Sequence, residues 1–409
     1  MFLVKREYFN KTYIIKGLIT SCFFSAFIYL SYFGFEYKLL NTILGLITIY
    51  LLLKNERLSL FYSGFFTAIF WFYWVGISFQ YYDLTYLSPL IIIFFGIVYG
   101  FLFLFIALID NLLFRVIIIF LLSYIHPFGF NWFIPELVFI NSYIPVTKEH
   151  FALVLALTYM FISLKKWKFI AIIPLFFITS NTGLYIDNPH LKIAMPQLNT
   201  KQDLKWIKNN ISTQIQINFE YINKAIKDKK ELIILPETAF PIVLNKDTFV
   251  YHNLQMMSED IDIIVGSIYL QEEQYYNATY YFSKGKVKIA KKVVLVPFGE
   301  KIPLPKFFVD LINNTFYNGA KDYEKAKKPT DFEIKGIKFR NAICYEATSD
   351  EIYQNLNTVR YMIATSNNAW FTPSIEPTLQ KLLLKYYAKK YDITIFHSIN
   401  GSSNYIIRP

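Results

Sequence analysis

The amino-acid sequence predicts a multi-pass α-helical membrane bundle followed by an α/β domain, and three observations support this. The chain has 409 residues, of which 54% are apolar and only 17% charged, which is atypical of a soluble globular protein. Its first 184 residues contain apolar stretches in which charges fall only at the joints. Beyond about Asp187, short β-rich runs alternate with polar, helix-like stretches. We therefore expect a membrane domain over residues 1–186 and a second domain over residues 187–409.

Seven apolar stretches predict about seven membrane-spanning helices. Uncharged runs from Gly17 to Phe35, Leu58 to Tyr82 and Leu87 to Ile109 each approach or exceed the roughly 20 residues that a helix needs to cross a bilayer. Four weaker stretches complete the set: Leu39–Leu53, Val116–Tyr124, Phe151–Leu164 and Phe169–Ile186. The Pro- and aromatic-rich HPFGFNWFIPE (His126–Glu136) leaves open a re-entrant or interfacial segment there.

The distribution of basic residues predicts a cytoplasmic N-terminus. Ten lysines and arginines fall in loops on one predicted side of the membrane, against two on the other. The ten are Lys5, Arg6, Lys11, Lys16, Lys54, Arg57, Arg115, Lys165, Lys166 and Lys168, and the two are Lys38 and Lys148. Because cytoplasmic loops carry the excess of Lys and Arg, seven crossings place residues 187–409 outside the cytoplasm. The basic start also fits a signal peptide, but no small-residue cleavage site follows it.

Charge, cysteine usage and motif content argue against a nucleic-acid-binding protein, a disulfide-stabilised protein, a metalloenzyme and a serine hydrolase. The formal net charge of +11 does not indicate a nucleic-acid partner, because the excess is spread thinly and the first half is too apolar for a phosphate-binding surface. Cys22 lies in an apolar run and Cys344 in the polar half, so no disulfide framework is expected. The five histidines show no HExxH or paired ligand spacing, and no GxSxG is present. We expect neither a metal nor a cofactor.

Seven apolar runs in the second half predict strands, most of them suited to burial on both faces. They are LKIAMPQLN, KELIILPET, IDIIVGSIYL, KVVLVPFGE, KFRNAICYE, RYMIATSNNAW and ITIFHSINGSSNYII. Helices are predicted over residues 202–229, 250–260 and 376–391. This order indicates layered sheets that are covered by helices.

Three polar residues at the ends of these strands are candidates for chemistry: Glu237 after ELIILP, Lys292 at the start of its strand, and Cys344 after NAI. Taken singly, Cys344 is typical of a small buried side chain, Lys292 of a solvated lysine and Glu237 of a helix cap. Taken together they have a chemical logic. A carboxylate removes the proton of a thiol, and an ammonium stabilises both the thiolate and a tetrahedral oxyanion.

The motifs around these residues resemble a known family. PETAF around Glu237, KKVVLVPFGE around Lys292 and AICYE around Cys344, in that order and about 50 residues apart, resemble the Glu-Lys-Cys signature of the nitrilase superfamily. A membrane bundle ahead of such a domain is similar to the apolipoprotein N-acyltransferases. The resemblance extends to PQLNTKQDLKW, YNAT and TSNNAWF, and covers residues 190–405. The membrane half matches in layout and in WFYWVGIS.

The resemblance implies a nitrilase-like α-β-β-α sandwich and a role for each motif residue. Cys344 would attack an acyl ester, Glu237 would be the general base, and Lys292 would stabilise the oxyanion with the backbone N–H after Cys344. Residues implied to support them or to bind substrate are Glu300, Tyr345, Glu346, Trp206 and Trp370.

The implied reaction transfers an acyl chain from a phospholipid, through a thioester on Cys344, to the α-amino group of a diacylglyceryl-cysteine at a lipoprotein's N-terminus. Both partners lie in the bilayer, so we expect an inner-membrane enzyme with its catalytic domain on the periplasmic side. The apolar Ile302–Gly319 segment could be a lid or lipid-contacting arm, or it could pack on the domain.

Two alternatives stay open from the sequence. A membrane-tethered amidase would use the same residues to hydrolyse a small C–N bond with water. A transporter or receptor would use the second domain only to bind a ligand, and it would place ionisable groups along a membrane pathway.

Overall fold

The structure is a computed structural model that describes residues 10–164, 168–177, 189–303, 307, 309 and 323–409. The chain divides into two compact units, each built from several segments. The first unit comprises Met1–Pro127, Trp132–Thr182 and Pro373–Tyr386, and the second comprises Phe128–Asn131, Gly183–Thr372 and Tyr387–Pro409. The predicted boundary between residues 186 and 187 lies outside the described residues.

The first unit is helical. Its α-helices are α1 (Lys11–Tyr32), α2 (Lys38–Lys54), α3 (Arg57–Phe72), α4 (Ser88–Leu104), α5 (Leu112–Leu122) and α6 (Lys148–Ser163). Stretches of 3-10 helix at Tyr73–Tyr82, Thr85–Leu87 and Phe105–Ala107 extend or join them, and further ones occur at Pro135–Phe139 and Lys168–Phe177.

Four helical stretches among the described residues are long and apolar enough to cross a membrane: Lys11–Tyr32, Arg57–Tyr82, Thr85–Ala107 and Leu112–Gly129. Two further predicted spans correspond to α2 and α6, which have 17 and 16 residues. The last predicted span, Phe169–Ile186, lies largely outside the described residues. The number of about seven crossings therefore stays a prediction.

Small residues allow the helices of the first unit to pack closely. A Cβ atom added to Gly64 of α3 would lie 2.2 Å from the carbonyl oxygen of Tyr99 in α4, and one added to Gly17 of α1 would lie 2.4 Å from the Cβ of Tyr62 in α3. Ser21 of α1 donates to the carbonyl of Ser63 in α3 at 2.7 Å. Close backbone approach and hydrogen bonds between helices are the means by which helices associate in a bilayer.

The second unit contains two sheets. Its strands are β1 (Ile193–Ala194), β2 (Leu232–Ile234), β3 (Phe240–Val243), β4 (Asp262–Gln271), β5 (Gln274–Ser283), β6 (Lys286–Lys291), β7 (Asp331–Ile334), β8 (Ile337–Ile343), β9 (Tyr361–Asn367), β10 (Thr394–Asn400) and β11 (Tyr405–Ile407). One sheet has the order β1-β2-β4-β5-β6 with β3 beside β4, and the other has the order β11-β10-β9-β8-β7. The helices that follow in sequence are α7 (Gln202–Lys205), α8 (Lys208–Lys227), α9 (Thr248–Met257) and α10 (Glu376–Tyr391). Helix α10 lies between the parallel strands β9 and β10 in the sequence, and its residues up to Tyr386 belong to the first unit.

Alternating side chains of the strands form two cores. Leu232 and Ile234 of β2 pack against residues of the second sheet, including Phe339 and Phe396, so the two sheets face each other. Ile233 points the opposite way and packs with residues of α8 and α9. This period-2 alternation explains why these runs are apolar throughout. The predicted class, a helical membrane domain followed by a layered α/β domain, is confirmed.

One predicted strand is wrong. KVVLVPFGE is not a strand, and Lys292 directly follows β6 instead of opening a strand of its own. The reason is that side-chain carboxylates take the N–H groups that a ladder would use. Glu346 accepts from the N–H groups of Val293 and Val294, and Glu300 accepts from that of Val296. The sequence also gave no prediction for β3, β5, β6 or β7.

Candidate active site

Glu237 lies on a tight turn between β2 and β3. Thr238, the next residue, has a φ of 46°, a left-handed conformation that non-glycine residues seldom adopt. The turn lies against Gly266 of β4, where an added Cβ would come within 2.7 Å of the Glu237 Cα and 2.5 Å of the Thr238 nitrogen. Glycine at 266 thus lets the turn approach the sheet, and the Glu237 side chain is buried.

Lys292 is completely buried between two carboxylates. Its Nζ lies 2.7 Å from Glu300 Oε2 and 3.9 Å from Glu237 Oε1. Burial alone would lower the pKa of Lys292, but the attraction of Glu300, Glu237 and Cys344 outweighs it and raises the pKa above the usual range. The raised pKa favours the ammonium form of Lys292.

Asn277 of β5 links the two carboxylates. Its Nδ2 donates to Glu237 Oε1 at 2.7 Å and to Glu300 Oε1 at 3.1 Å. Each carboxylate is therefore held by both an amide and an ammonium, as buried charged groups require.

Cys344 begins a sharp turn at the end of β8. It has a φ of 54° and opens the 3-10 helix Cys344–Thr348, while its neighbours on the chain are buried. Its own side chain is half-buried, and Cys344 is within electrostatic range of Lys292. Left-handed backbone at a non-glycine residue is a cost that concentrates at functional sites, and here it projects a thiol from a strand end.

Glu346 fixes the backbone on both sides of this turn. Its Oε2 accepts from the N–H of Val293 at 2.5 Å and of Val294 at 3.1 Å, and its Oε1 accepts from the N–H of Ile343 at 2.8 Å. Burial raises the pKa of Glu346 to about 7, against the opposing effects of Lys292 and these three donors. The segment after Lys292 is thus tied to the segment that carries Cys344.

Tyr345 is held by the segment Phe128–Asn131, which belongs to the same compact unit. The Asn131 N–H donates to the Tyr345 hydroxyl at 3.0 Å, and that hydroxyl donates to the Gly129 carbonyl at 3.0 Å. The ring of Phe130 stacks on Tyr345 with an interplanar angle of 9°. Asn131 Nδ2 also donates to the Thr348 carbonyl at 2.7 Å. Both ends of the 3-10 helix that follows Cys344 are therefore anchored.

The two tryptophans predicted to bind substrate differ in setting. Trp206 is 44% exposed at the end of α7. Trp370 is half-buried, and its Nε1 lies 3.3 Å from the Asn367 side-chain oxygen when that amide is turned to accept from it. Most of the predicted lid Ile302–Gly319 lies outside the described residues.

No role was predicted from the sequence for Asn277 or Lys205. Asn277 falls in the YNAT motif, and that motif alone does not indicate that its amide bridges two carboxylates. Lys205 is buried, and its Nζ donates to the Glu237 carbonyl at 3.2 Å. The sequence signal that points to Lys205 is its position in PQLNTKQDLKW, a segment that resembles the family. Across the described residues, no three His, Cys, Asp or Glu side chains come together in a group that could hold a metal ion.

This geometry defines a class of enzyme. A thiol on a sharp strand-end turn, a buried carboxylate and a buried ammonium, carried by two facing sheets, are groups suited to acyl transfer through a thioester. The second half of the chain matches the carbon-nitrogen hydrolase family over residues 192–393, and the first half matches the apolipoprotein N-acyltransferase integral membrane domain over residues 11–181. The predicted nitrilase-like fold behind a membrane domain is thereby confirmed.

The relatives define the family more closely. The chain is 42% identical over 396 residues to the apolipoprotein N-acyltransferase of Wolinella succinogenes, covering 96% of this chain and 95% of the relative. It is 43% identical to that of Helicobacter hepaticus, covering 91% and 94%, and 36% identical to that of Campylobacter jejuni, covering 97% and 90%. The chain belongs to the apolipoprotein N-acyltransferase family.

Proposed function

We propose that this membrane enzyme acylates the N-terminal α-amino group of diacylated lipoproteins, with a phospholipid as acyl donor and Cys344 as nucleophile. The full-length similarity to apolipoprotein N-acyltransferases supports lipoprotein N-acylation. The observation that carries the residue roles is the placement of Lys292 between Glu237 and Glu300, with Cys344 in its field.

In the first half-reaction, the Glu237 carboxylate takes the proton of the Cys344 thiol. The thiolate attacks the ester carbonyl carbon of the phospholipid, and the tetrahedral oxyanion is stabilised by Lys292 and the backbone N–H of Tyr345. As the C–O bond breaks, Glu237 returns the proton to the leaving lysophospholipid oxygen. Cys344 is left as a thioester.

In the second half-reaction, the neutral α-amino group of the lipoprotein attacks the thioester carbonyl. Glu237 accepts the proton that the amine loses as the amide bond forms, and the Cys344 thiolate leaves. Glu237 then returns that proton to the thiolate, which restores the resting site. The two halves are chemically symmetrical, so one base serves both.

Both substrates are lipids or lipid-anchored chains, so the site must work next to a bilayer. The charge asymmetry of the loops supports an inner-membrane location with the catalytic domain on the periplasmic side. Both tryptophans are our candidates for substrate binding: Trp206 is half-exposed and could contact acyl chains, and Trp370 is half-buried beside Asn367. Both tryptophan roles belong to this proposal.

The test is intact-mass analysis of the purified protein after incubation with phospholipid. We expect a hydroxylamine-sensitive acyl adduct on the wild type and none on Cys344→Ala, with Cys22→Ala as the matched cysteine control. Adding a diacylated lipopeptide should discharge the adduct and yield the N-acylated peptide. Equal lipopeptide acylation by Cys344→Ala would refute the proposal.

The amidase alternative is not favoured, because the relatives that match over the full length are acyltransferases. Turnover of soluble amides without phospholipid would reinstate it. Labelling of Cys344 by lipid would also exclude a role limited to ligand binding.

A further inference from the structure

Lys205 is a second buried lysine at this site. It is the last residue of α7 and only 2% exposed. Its Nζ donates to the main-chain carbonyl of Glu237 at 3.2 Å, and no carboxylate of the described residues lies within ion-pair distance of it. A buried ammonium without a paired carboxylate costs free energy, so stability does not explain a lysine at this position.

The charged groups around Lys205 give it a chemical context. Glu237 and Cys344 both attract the Lys205 ammonium, while Lys292 Nζ lies 3.9 Å from Glu237 Oε1 and 2.7 Å from Glu300 Oε2. Lys205 is therefore a second cation whose charge acts on Glu237 and Cys344. Burial lowers the pKa of Lys205 to about 8, so the ammonium form still prevails at neutral pH.

Lys205 also bears on the shape of the site. The carbonyl that it engages belongs to the residue just before the left-handed Thr238. The Asn367 amide, turned to accept from Trp370 Nε1, accepts from Lys205 Nζ as well, also at 3.3 Å. Lys205 therefore joins the turn that carries the base to the end of β9.

We propose that Lys205 is a positioning residue of the active site: its ammonium holds the Glu237 turn through the main-chain carbonyl and, by its charge, favours the thiolate of Cys344. This rests on the proposed function, because it assumes that Cys344 is the nucleophile. A cation near a thiol stabilises the thiolate, so the Lys205 charge eases the transfer of the Cys344 proton to Glu237.

The experiment measures the rate of iodoacetamide alkylation of Cys344 in the full chain, in a Cys22→Ala background, from pH 5 to 9. Lys205→Met removes both the charge and the donor, whereas Lys205→Gln removes only the charge. Lys208→Met, at an exposed lysine three residues further on, is the matched control. We expect both Lys205 variants to move the midpoint of the alkylation profile upwards by about one pH unit and to slow alkylation at pH 7 about tenfold. The control should match the parent protein.

If Lys205 had only a structural role, its removal would leave the alkylation profile of Cys344 unchanged. We expect the removal of this buried cation to leave the thermal midpoint unchanged or raised, so a folded Lys205→Met protein with a shifted profile supports the proposal. If the Met variant does not fold, the Gln variant carries the test. An alkylation profile equal to that of the parent in a folded variant would overturn the proposal.

Failure of this proposal can be told apart from failure of the proposed function. Alkylation reports on the thiol whether or not lipid is present. A shifted profile together with unimpaired lipopeptide acylation by Cys344→Ala would leave Lys205 acting on a thiol that is not the nucleophile. An unshifted profile together with a Cys344 thioester would refute only the role of Lys205.

Discussion

The two compact units of this protein bury their polar groups in different ways. In the first unit, several hydroxyl groups donate to carbonyls one helical turn earlier, as Thr20 does to Lys16, Thr48 to Leu44 and Thr158 to Val154, although Ser21 also donates to Ser63 of α3. In the second unit, buried polar groups are satisfied across long stretches of chain. Glu346 accepts from Val293, 53 residues away, and Asn277 donates to Glu237, 40 residues away.

This difference determines what a substitution should do. A hydroxyl that bonds within its own helix contributes little, because the helix keeps its backbone hydrogen bonds without it. A buried group that joins several distant segments leaves unpaired charges or donors when it is removed, and those are costly. Substitutions of the buried, long-range polar groups in the second unit should therefore reduce activity strongly. Substitutions of hydroxyl groups in the first unit should change activity and stability only slightly.

The largest effect is expected from Lys292→Met. It leaves the Glu237 and Glu300 carboxylates buried without their shared cation, and it also removes the proposed oxyanion donor. We expect a loss of about 10³-fold in the rate of thioester formation, measured by mass in single turnover. Lys288→Met, at an exposed lysine within β6, should retain full activity. A loss below tenfold would contradict the role of Lys292.

Glu346→Gln should reduce thioester formation by about 10²-fold. A glutamine offers one oxygen and one NH₂ where three backbone N–H groups need acceptors, so at least one donor is left facing another donor. The matched control is Glu351→Gln, at an exposed carboxylate five residues further on. Wild-type rates in a folded Glu346→Gln protein would show that the tie between the two segments is dispensable.

The same variant has a signature in the pH dependence of stability. The pKa of Glu346 is raised in the folded state to about 7 from 4.5, so the folded protein holds this proton more strongly than the unfolded chain. Its contribution to stability is complete below pH 4.5 and is lost as the pH rises through about 7. We expect the thermal midpoint of the wild type to decrease as the pH rises from 5 to 8. Glu346→Gln should lack the part of this decrease that comes from Glu346. Identical slopes in both proteins would show that Glu346 titrates normally.

A smaller effect is expected from Tyr345→Phe. The change removes one hydroxyl and leaves the Asn131 N–H and the Gly129 carbonyl without that partner, but the ring can still stack on Phe130. We expect a loss of about tenfold in thioester formation. Asn131→Ala, which frees the Thr348 carbonyl, should give a similar loss. Tyr275→Phe, at an exposed tyrosine, is the control, and an equal effect there would remove the special role of Tyr345.

The sequence predicted the fold class and the three central side chains because each lies within or beside an apolar run. Glu237, Lys292 and Cys344 stand out as polar residues where buried strands end or begin. It missed β5 and β6, whose many tyrosines and lysines mask their apolar alternation, and it misjudged the segment after Lys292. That segment is shaped by Glu300 and Glu346, and one sequence cannot show which backbone N–H groups a distant carboxylate will bind. Lys205 escaped notice for the same reason, since only its partner at Glu237 distinguishes it from an exposed lysine.

The smallest effect is expected from Ser21→Ala in the first unit. The Ser21 hydroxyl donates to the Gly17 carbonyl within α1 and to the Ser63 carbonyl in α3, and its loss should destabilise the unit by about 0.6 kcal/mol. The thermal midpoint in detergent should therefore fall slightly while acyl transfer stays within twofold of wild type. Cys22→Ala, at the next position of the same helix and exposed, is the matched control and should change neither quantity. A tenfold loss of transfer in Ser21→Ala would overturn the contrast between the two units, because it would mean that a hydrogen bond of the first unit governs the chemistry.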